Sequence, residues 1–305
     1  MGGGGRPALE GHAGRRREDD RQDDCEHGAD PVTDVAGPAP RGAGGGRPAT
    51  LGAVSWGARK EELAGDLVRG LYVAGLVRTW LRDRPEGWEL MSGAWSPFYV
   101  NLRGAPGDPE LFRFMVDAGA EMVSAELPAT TQLVGLAAAG VPLAAGIAYK
   151  LGLPMGFTRK LPNVRDLAAF EREVGAYGGH ALVEGDFRSG DRVVLVDDVV
   201  TGFDSKEIAL RQLELELDRR GVEDVAVDAV LVFVERGAEA RERAAAAGVG
   251  LASLAVLDAA RLEALRGAAS DRELDVIGAY LRDPEPFQDA AVQAELAAEA
   301  AAAAR

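Results

Sequence analysis

Residues 193–205, with the sequence VVLVDDVVTGFDS, constrain the fold of this chain more than any other segment. The segment opens with four apolar, mostly β-branched residues, which are typical of a short strand buried on both faces of a parallel sheet. Asp197 and Asp198 follow at once and are predicted to end that strand. A Thr-Gly turn comes next, and Ser205 is predicted to cap a helix, because helical periodicity resumes there. The segment therefore predicts a strand-loop-helix unit.

The chemistry of this loop favours a sugar phosphate. Open parallel sheets bind ligands beyond the carboxyl ends of their strands, which is where Asp197 and Asp198 are expected. Two adjacent carboxylates can accept hydrogen bonds from neighbouring ribose hydroxyls. Backbone amides of residues 201–205, together with the dipole of the next helix, can hold a phosphate. The alternative is a polar strand end followed by an ordinary turn, and these residue types alone do not separate the two interpretations.

Strands and helices alternate on either side of this unit. Further buried strands are predicted at residues 132–136, 155–158, 225–234 and 251–257. Helices are predicted at residues 58–80, 111–127, 142–151, 238–247 and 258–266. This alternation predicts an α/β fold with a doubly wound parallel sheet. Residues 88–104 are rich in Pro, Gly and aromatic residues, and they predict a loop-rich, partly extended element that belongs to a small N-terminal hood.

Composition divides the chain into three parts. Residues 1–55 are predicted to be a disordered tail, because Gly, Arg, Asp and Pro dominate and apolar periodicity is almost absent. Residues 56–270 are predicted to form one domain, with the hood at 56–105 and the core at 106–270. Residues 271–305 are predicted to be a helical C-terminal extension, which serves as a cap or a dimer element and carries no visible chemistry.

Charge and cysteine content exclude several classes of function. The formal net charge is -15, so the clustered positive charge needed for nucleic-acid or anionic-membrane binding is not expected. No apolar run approaches the roughly 18 to 20 residues of a membrane span, and no secretory signal follows Met1, which predicts a cytoplasmic protein. Cys25 is the only cysteine, which excludes intramolecular disulfides and cysteine metal clusters. No residue is assigned as a metal ligand.

The segment that begins at Asp197 resembles the 5-phosphoribosyl 1-diphosphate (PRPP) signature of type I phosphoribosyltransferases. In that signature, Asp-Asp follows four apolar residues and precedes two more, then Thr, a small residue, Gly, one further residue and Ser or Thr. The matching residues are Asp197, Asp198, Val199, Val200, Thr201 and Ser205, with Gly202 at the small position. Phe203 and Asp204 stand where the family usually has Gly and another small residue.

A second segment, in the predicted hood, is similar to the orotate phosphoribosyltransferases of that family. The family pattern reads roughly Leu-Lys-Ser-Gly-x-x-Ser-Pro-aromatic-aromatic-x-Asn/Asp-x-Arg. The matching residues are Leu90, Ser92, Gly93, Ser96, Pro97, Phe98, Tyr99, Asn101, Leu102 and Arg103. Met91 stands at the place of the family lysine. The whole resemblance covers about residues 58–265.

This resemblance implies a transferase that moves the phosphoribosyl group from PRPP to orotate and forms orotidine 5′-phosphate and pyrophosphate. It implies a Mg²⁺ cofactor that is bound mainly through PRPP. It also implies that the protein forms a homodimer and that its small-molecule partners are PRPP and a base. The implied catalytic residues are Asp197, Asp198 and Lys160. The implied PRPP-binding residues are Ala138, Gly140, Arg159, Lys160, Asp197, Asp198, Val199, Val200, Thr201, Gly202, Phe203, Asp204 and Ser205. The implied base-binding residues are Phe98, Tyr99, Thr201 and Arg236.

The residue types suit these implied roles. Small residues at 137–140, after a buried strand, let backbone amides approach an anion such as pyrophosphate. Arg159 and Lys160 place two cations at a strand end in an acidic chain, where both can donate to a diphosphate. Arg236 follows another strand, and the family arginine at that position binds the carboxylate of orotate. Phe98 and Tyr99 are expected to offer ring faces to the base.

Residues 161–185 correspond to the mobile catalytic loop of the family. This loop lacks the second family lysine and offers Arg165, Arg172 or His180 in its place, although a lone loop histidine is more often solvent-facing than catalytic.

Two alternatives stay open. One is a paralogue that binds PRPP or a nucleotide as a sensor or regulator. The other is a phosphoribosyltransferase for another base, in which Arg236 meets no carboxylate. Pyrophosphate release measured with a panel of bases separates the three hypotheses.

Overall fold

The computed structural model describes residues 55–90, 93–175, 178–237 and 239–303. Its helices are α1 (Trp56–Val73), α2 (Pro109–Glu126), α3 (Gly140–Leu151), α4 (Leu167–Glu173), α5 (Asp204–Arg220), α6 (Glu239–Ala246), α7 (Asp271–Arg282) and α8 (Ala290–Ala303). Its strands are β1 (Val77–Thr79), β2 (Trp88–Glu89), β3 (Trp95–Ser96), β4 (Phe98–Val100), β5 (Gln132–Gly135), β6 (Met155–Thr158), β7 (Val183–Glu184), β8 (Arg192–Val200), β9 (Ala226–Glu235) and β10 (Gly250–Val256). Short 3-10 helices span Leu102–Gly107, Arg261–Leu265 and Glu285–Gln288.

Parts of the sequence predictions fall outside the described residues. These are residues 1–54, which make up nearly all of the predicted tail, Met91 and Ser92 of the hood segment, residues 176–177 of the predicted loop, Ala238 and residues 304–305. Within the described residues, no helix has both the length and the apolar character that a membrane span requires.

The central sheet has six strands in the order β10-β9-β8-β5-β6-β7. Neighbouring strands pair in parallel, except that β7 is antiparallel to β6. This arrangement confirms the predicted doubly wound sheet. The strand order reverses between β5 and β8, because the chain moves outwards through β6 on one side and through β9 and β10 on the other. A ligand crevice is expected at that switch point, outside the carboxyl ends of β5 and β8.

Helices cover both faces of the sheet, and each strand divides its side chains between the two layers. Val194 and Val196 of β8 belong to a hydrophobic cluster that includes α1, α2 and α3. Val193 and Leu195 belong to a second cluster, which includes α5 and α6. All four side chains are fully buried, and this two-sided burial explains the unbroken apolar run that predicts the strand.

The central strand is longer than its sequence predicts. The prediction that Asp197 and Asp198 end it is wrong, because β8 continues to Val200. Its ladder with β9 runs on to the pair Val200↔Glu235. Backbone pairing with a long parallel neighbour therefore outweighs the polarity of two side chains.

The predicted helix cap at Ser205 is also wrong. The helix α5 begins at Asp204, its N-cap residue is Phe203, and no side chain caps it. Ser205 therefore lies inside the first turn. An uncapped helix start leaves backbone N–H groups without intrahelical partners, which bears on the site described below.

The hood contains α1 and two small antiparallel pairs, β1 with β4 and β2 with β3. The sequence predicts one helix from residue 58 to Trp80, but α1 ends at Val73. Gly75 has a φ of +70°, and the chain turns there into β1. Val77 and Trp80 are buried in that strand and the turn after it, so two core contacts in an extended segment imitate helical spacing.

The C-terminal part also departs from its prediction. Residues 258–266 are predicted to start a helix, but they form only a 3-10 turn at Arg261–Leu265. The next helix, α7, begins after Ser270 with a complete capping box, in which Ser270 and Glu273 each bond to the backbone of the other. The proposed boundary between residues 270 and 271 stays a prediction.

Candidate active site

Two loops meet at the switch point of the sheet. Residues 136–139 join β5 to α3, and residues 201–203 join β8 to α5. The amide of Leu136 donates to the carbonyl of Val196 at 2.9 Å, which keeps the first loop beside β8. A Cβ on Gly140 would lie 2.0 Å from the same carbonyl oxygen, so glycine allows the start of α3 to pack this closely. The loop that the resemblance assigns to pyrophosphate therefore flanks the Asp-Asp pair.

The two aspartates have different surroundings. Asp197 is buried, and its Oδ2 accepts a hydrogen bond from Lys206 Nζ at 2.7 Å, while its Oδ1 accepts one from the amide of Asp198 at 3.0 Å. Asp198 is partly buried, and its Oδ1 accepts from the amide of Val199 at 2.8 Å. Its Oδ2 accepts no hydrogen bond from the described residues. Of the two carboxylates, Asp198 is therefore the one with capacity for a ligand hydroxyl.

Lys206 is a site residue that the sequence analysis does not assign. Its side chain is 3% exposed, and its Nζ also donates to the carbonyl of Val199 at 2.7 Å and to Ser205 Oγ at 3.2 Å. One sequence signal points to it. It is one of only four lysines in the chain, and it shares the spacing of the buried residues Ala209 and Leu213 on the inner face of α5.

Asp198 titrates far from the ordinary range of an aspartate. Burial raises its pKa to about 6, and the nearby Asp197 carboxylate raises it as well. The amide of Val199 and the ammonium of Lys206 act in the opposite direction. At neutral pH, Asp198 therefore carries a charge that its surroundings compensate only in part, so it gains by meeting a donor group or a cation.

The turn between β8 and α5 offers backbone donors. Among the described residues, none accepts a hydrogen bond from the amides of Thr201, Gly202 or Phe203. Phe203 is fully buried in the cluster that includes α5 and α6, so the side chain that replaces a family glycine serves as a core anchor for this turn. The turn and the uncapped start of α5 together can bind a phosphate. We refer to residues 201–205 as the phosphate turn.

Asp204 places a carboxylate on the phosphate turn, but a cation holds it. Arg243 of α6 donates to Asp204 Oδ1 at 2.9 Å, and this bond lowers the pKa of Asp204. The side chain is exposed, so the carboxylate is not desolvated at the turn. The ion pair reduces the repulsion that Asp204 would exert on a bound phosphate.

The cations at the end of β6 lie on the other side of β5. Arg159 and Lys160 are both exposed, and Arg159 pairs with Glu184 of β7 at 3.3 Å. Thr158 Oγ1 accepts from the amide of Ala137 at 3.0 Å, which ties this strand end to the loop at residues 136–139. The Ala137–Ala138 peptide bond in that loop is cis. Arg159 and Lys160 therefore flank the loop assigned to pyrophosphate, although the guanidinium of Arg159 already has a carboxylate partner.

Arg236 lies at the end of β9, next to the phosphate turn. Its amide donates to the carbonyl of Val200 at 2.8 Å. A positive φ of 101° at Gly237 turns the chain there, and a Cβ on that glycine would lie 3.7 Å from the carbonyl of Thr201. Burial lowers the pKa of Arg236, and no described residue pairs a carboxylate with its guanidinium. A partly buried guanidinium without a carboxylate partner is suited to an anionic ligand.

Phe98 and Tyr99, which are both predicted to offer a ring face to the base, make different contacts. The Phe98 side chain is 0% exposed, and the guanidinium carbon of Arg236 lies 4.7 Å from the centre of its ring. That ring face therefore supports Arg236 by a cation–π contact. Tyr99, the next residue of β4, is partly buried and stacks on Trp88, with ring centres 6.2 Å apart. A role for either ring in holding a base stays a prediction.

Comparison with known proteins places this chain in a family. No protein-family model matches the chain. The orotate phosphoribosyltransferase of Pyrobaculum aerophilum is 37% identical over 161 residues, which cover 52% of this chain and 72% of that protein. The orotate phosphoribosyltransferase of Ruegeria sp. (strain TM1040) is 30% identical over 236 residues, which cover 75% of this chain and 94% of that protein. The chain belongs to the orotate phosphoribosyltransferase family.

A solved structure of an orotate phosphoribosyltransferase supports the same assignment. The crystal structure of the enzyme from Aeropyrum pernix superposes with a TM-score of 0.52 at 29% identity and covers 67% of this chain and 99% of that chain. The fold therefore agrees with the sequence resemblance.

The described residues of the loop at 161–185 make contacts with α5. Phe170 of α4 is fully buried, and Arg211 of α5 donates to Glu171 at 2.9 Å. Arg165 and Arg172, which the sequence offers as replacements for the family lysine, both have exposed side chains. His180 is exposed as well. The described residues thus attach this loop to α5, and a catalytic role for any of its cations stays a prediction.

A second residue that the sequence analysis misses comes from the C-terminal part. Tyr280 of α7 is buried and meets Phe98 edge to face, with ring centres 5.8 Å apart. Phe287 contacts Tyr280 in the same manner at 5.4 Å. Helical periodicity predicts that Tyr280 is buried, but it does not indicate which aromatic residue it meets.

Proposed function

We propose that this protein is an orotate phosphoribosyltransferase, which transfers the phosphoribosyl group of PRPP to orotate and forms orotidine 5′-phosphate and pyrophosphate in pyrimidine biosynthesis. The observation that carries the proposal is Arg236. It is a partly buried guanidinium that pairs with no carboxylate among the described residues, and Phe98 supports it at the end of β9, next to the phosphate turn. An anionic base that binds next to a ribose clamp satisfies this arrangement.

The three parts of PRPP are assigned to different sets of residues. The 5′-phosphate binds to the amides of the phosphate turn, and the diphosphate binds to residues 137–140 with Arg159 and Lys160. Asp198 accepts hydrogen bonds from the ribose hydroxyls. Asp197 supports this clamp from within the protein, because Lys206 already engages it.

Catalysis then consists mainly of positioning. As pyrophosphate leaves, positive charge develops on the ribose ring and negative charge on the leaving group. The Asp197–Asp198 pair stabilises the first, and Lys160 stabilises the second. No protein nucleophile is required. Arg236 aligns orotate through a two-point contact with its carboxylate, so that the ring nitrogen attacks the anomeric carbon.

Mg²⁺ is the cofactor that the family implies, and the donor set fits it. Carboxylate oxygens are ligands that Mg²⁺ prefers, and Asp198 Oδ2 is available to share the ion with PRPP. The described residues contain no group of three or more His, Cys, Asp or Glu placed to hold a metal, so the substrate would supply most of the ligands. When bound, the ion neutralises charge on the diphosphate. We expect chelation to weaken PRPP binding, measured by calorimetry, and to stop turnover.

The decisive assay follows pyrophosphate release and nucleotide formation with PRPP, Mg²⁺ and a panel of orotate, uracil, adenine and hypoxanthine. Turnover with orotate alone supports the proposal. Turnover with a different base shows a transferase of other specificity, and PRPP binding without turnover shows a sensor or regulator. Either of these last two results overturns the proposal.

The substitution of Arg236 tests the residue that carries the proposal. We expect Arg236→Met to lower kcat/KM for orotate on the order of a hundredfold, because a charge-assisted two-point contact is lost. Arg236→Lys keeps the positive charge but cannot make the two-point contact, and we expect an intermediate loss of kcat/KM for orotate. The KM for PRPP should stay unchanged in both variants.

We further propose that the protein acts in the cytoplasm as a homodimer. Light scattering of the purified protein checks the oligomeric state.

A further inference from the structure

Arg243 is a cation at the phosphate turn to which neither the sequence motifs nor the proposed mechanism assigns a role. It lies on α6, in the segment that follows Arg236. Its Nη2 donates to Asp204 at 2.9 Å and to Glu207 Oε2 at 2.8 Å, and its Nε donates to Glu207 Oε1 at 3.2 Å. One guanidinium therefore spans two carboxylates in the first turn of α5.

The remaining edge of this guanidinium faces the phosphate turn. A Cβ on Gly202 would lie 3.6 Å from Nη1 of Arg243, so this nitrogen is close to the backbone of the turn. Nη1 forms an ion pair with Glu239 at 3.8 Å, which is beyond hydrogen-bond distance, and Asp204 Oδ2 lies beside the same backbone, 3.2 Å from that Cβ position. Nη1 therefore retains donor capacity beside the amides of Thr201, Gly202 and Phe203, which likewise donate to none of the described residues.

Packing of the chain fixes α6 in this position. Ala240 and Ala244 are buried one helical turn apart, and both belong to the same hydrophobic cluster as Phe203. Arg243 lies next to this inner face and is only partly exposed, at 27% of its side chain. Phe203, which replaces a family glycine, therefore anchors the phosphate turn in the layer that carries Arg243.

We infer that Arg243 binds the 5′-phosphate of PRPP as a further residue of the phosphate turn. The inference rests on the proposed function, since it takes the turn as the phosphate site. Asp204 and Glu207 add negative charge next to that site. Asp204 stands at a position where the family pattern has a small residue. Arg243 compensates part of this negative charge, and its Nη1 adds a donor beside the backbone amides of the turn, so it lowers the repulsion that a phosphate dianion would meet there.

The test compares ligands that differ only in the phosphate. Dissociation constants of orotidine 5′-phosphate and orotidine are measured by calorimetry for the parent, Arg243→Met and Arg243→Lys. We expect Arg243→Met to weaken binding of orotidine 5′-phosphate by at least about tenfold while the affinity for orotidine changes by less than about twofold. Arg243→Lys should lie between the two. In kinetics, the KM for PRPP should rise with little change in kcat.

Arg59→Met is the matched control. Arg59 also pairs with two carboxylates, those of Glu62 and Glu121, but it lies on α1, outside the phosphate turn. We expect this variant to bind both ligands as the parent does. An equal loss for orotidine 5′-phosphate in both arginine variants would show a general effect of surface charge and overturn the inference.

A second variant separates phosphate binding from a purely structural clamp. If Arg243 only neutralises Asp204 and Glu207, the triple variant Arg243→Met, Asp204→Asn, Glu207→Gln should recover the phosphate preference of the parent, and the inference fails. If Arg243 binds phosphate, the preference stays reduced. Should the parent protein make no orotidine 5′-phosphate, the proposed function fails, and the same variants are compared with ribose 5-phosphate and ribose, which still decides the role of Arg243.

Discussion

Lys206 and Asp197 form a buried ion pair that gives the two neighbouring aspartates different tasks. The ammonium bonds to Asp197 at 2.7 Å and to the carbonyl of Val199 at 2.7 Å, so the first carboxylate is committed to the protein. Asp198 keeps an oxygen for the ligand. Two adjacent carboxylates thus have different partners, and the lysine that distinguishes them lies nine residues along the chain from Asp197.

We expect Lys206→Met to lower the free energy of unfolding by about 3 to 5 kcal/mol, because it leaves the Asp197 carboxylate buried without its cation. Urea unfolding measures the change. The double variant Lys206→Met, Asp197→Asn should recover most of the loss, and Lys60→Met, which breaks a more exposed lysine pair with Glu126, should cost less than about 1 kcal/mol. A double variant as unstable as the single one would contradict the prediction.

Asp198 should make stability depend on pH. Burial and the Asp197 carboxylate raise its pKa to about 6 in the folded protein, above the value of about 4 that an aspartate has in an unfolded chain. The folded state therefore binds this proton more tightly, and the stability that Asp198 contributes in acid is lost as the pH rises from about 4 to about 6.

We expect Asp198→Asn to be more stable than the parent above about pH 6, by up to about 3 kcal/mol, and to lose this advantage toward about pH 4. Urea unfolding at several pH values between these limits measures the difference. The same variant should be almost inactive, since the ribose hydroxyls lose a charged acceptor. Stability curves of parent and variant that run parallel with pH would contradict the assignment.

At the scale of elements, the start of α3 decides how close the pyrophosphate loop comes to the central strand. The site for a Cβ on Gly140 is 2.0 Å from the carbonyl oxygen of Val196, which is backbone and cannot move aside as a side chain would. The amide of Gly140 bonds back to Leu136 at 2.9 Å and closes the loop. The close contact between α3 and β8 therefore requires glycine at position 140, because a methyl group there would overlap the carbonyl oxygen of Val196.

We expect Gly140→Ala to push α3 away from β8, to destabilise the protein by at least about 2 kcal/mol and to raise the KM for PRPP. Gly65→Ala is the control. It makes the same substitution within α1, where the new Cβ would meet Ala264 at an ordinary 3.8 Å, and it should leave stability equal or slightly higher. Thermal unfolding and PRPP kinetics compare the two, and similar results for both variants would refute the steric argument.

At the scale of the whole molecule, the C-terminal helix α7 fastens the hood over the carboxyl edge of the sheet. Glu273 is buried and accepts hydrogen bonds from Tyr72 Oη at 3.0 Å and from Thr79 Oγ1 at 2.6 Å. Burial alone would raise the pKa of Glu273, but the bonds from Thr79, Ser270 and Tyr72 outweigh it and lower that pKa. Farther along the chain, Gln288 bonds to both backbone groups of Trp95.

The aromatic contact between α7 and the hood should influence base binding. Tyr280 supports the edge of Phe98, whose face holds Arg236. We expect Tyr280→Ala to raise the KM for orotate about tenfold with little effect on the KM for PRPP, whereas Tyr280→Phe, which keeps the ring, should behave as the parent does. Steady-state kinetics with each substrate varied in turn checks this. An equal rise in both KM values would indicate general loosening of the fold.

The elements that the sequence predicts well are those with a local cause. The strand at 155–158 coincides with β6, and the helix at 111–127 differs from α2 by at most two residues at either end, because unbroken apolar runs and helical spacing both reflect burial of nearby positions. The extent of β8 depends on pairing with β9, and the start of α5 depends on the packing of Phe203 in a cluster with Ala240 and Ala244, which are distant in the chain. Local turn chemistry therefore gives the wrong end for the strand and the wrong cap for the helix.

By itself, the sequence determines the α/β fold, because short-range apolar pattern reflects which positions are buried. Its resemblance to a family assigns roles to Asp197, Asp198, the phosphate turn and Arg236, and these roles stay predictions. Only the tertiary structure decides which partners those residues meet: Lys206 on Asp197, Arg243 on Asp204, and Tyr280 behind Phe98 and Arg236. The physical reason is that pKa values, ion pairs and aromatic contacts depend on distance in space, and the order of strands in the sheet sets that distance.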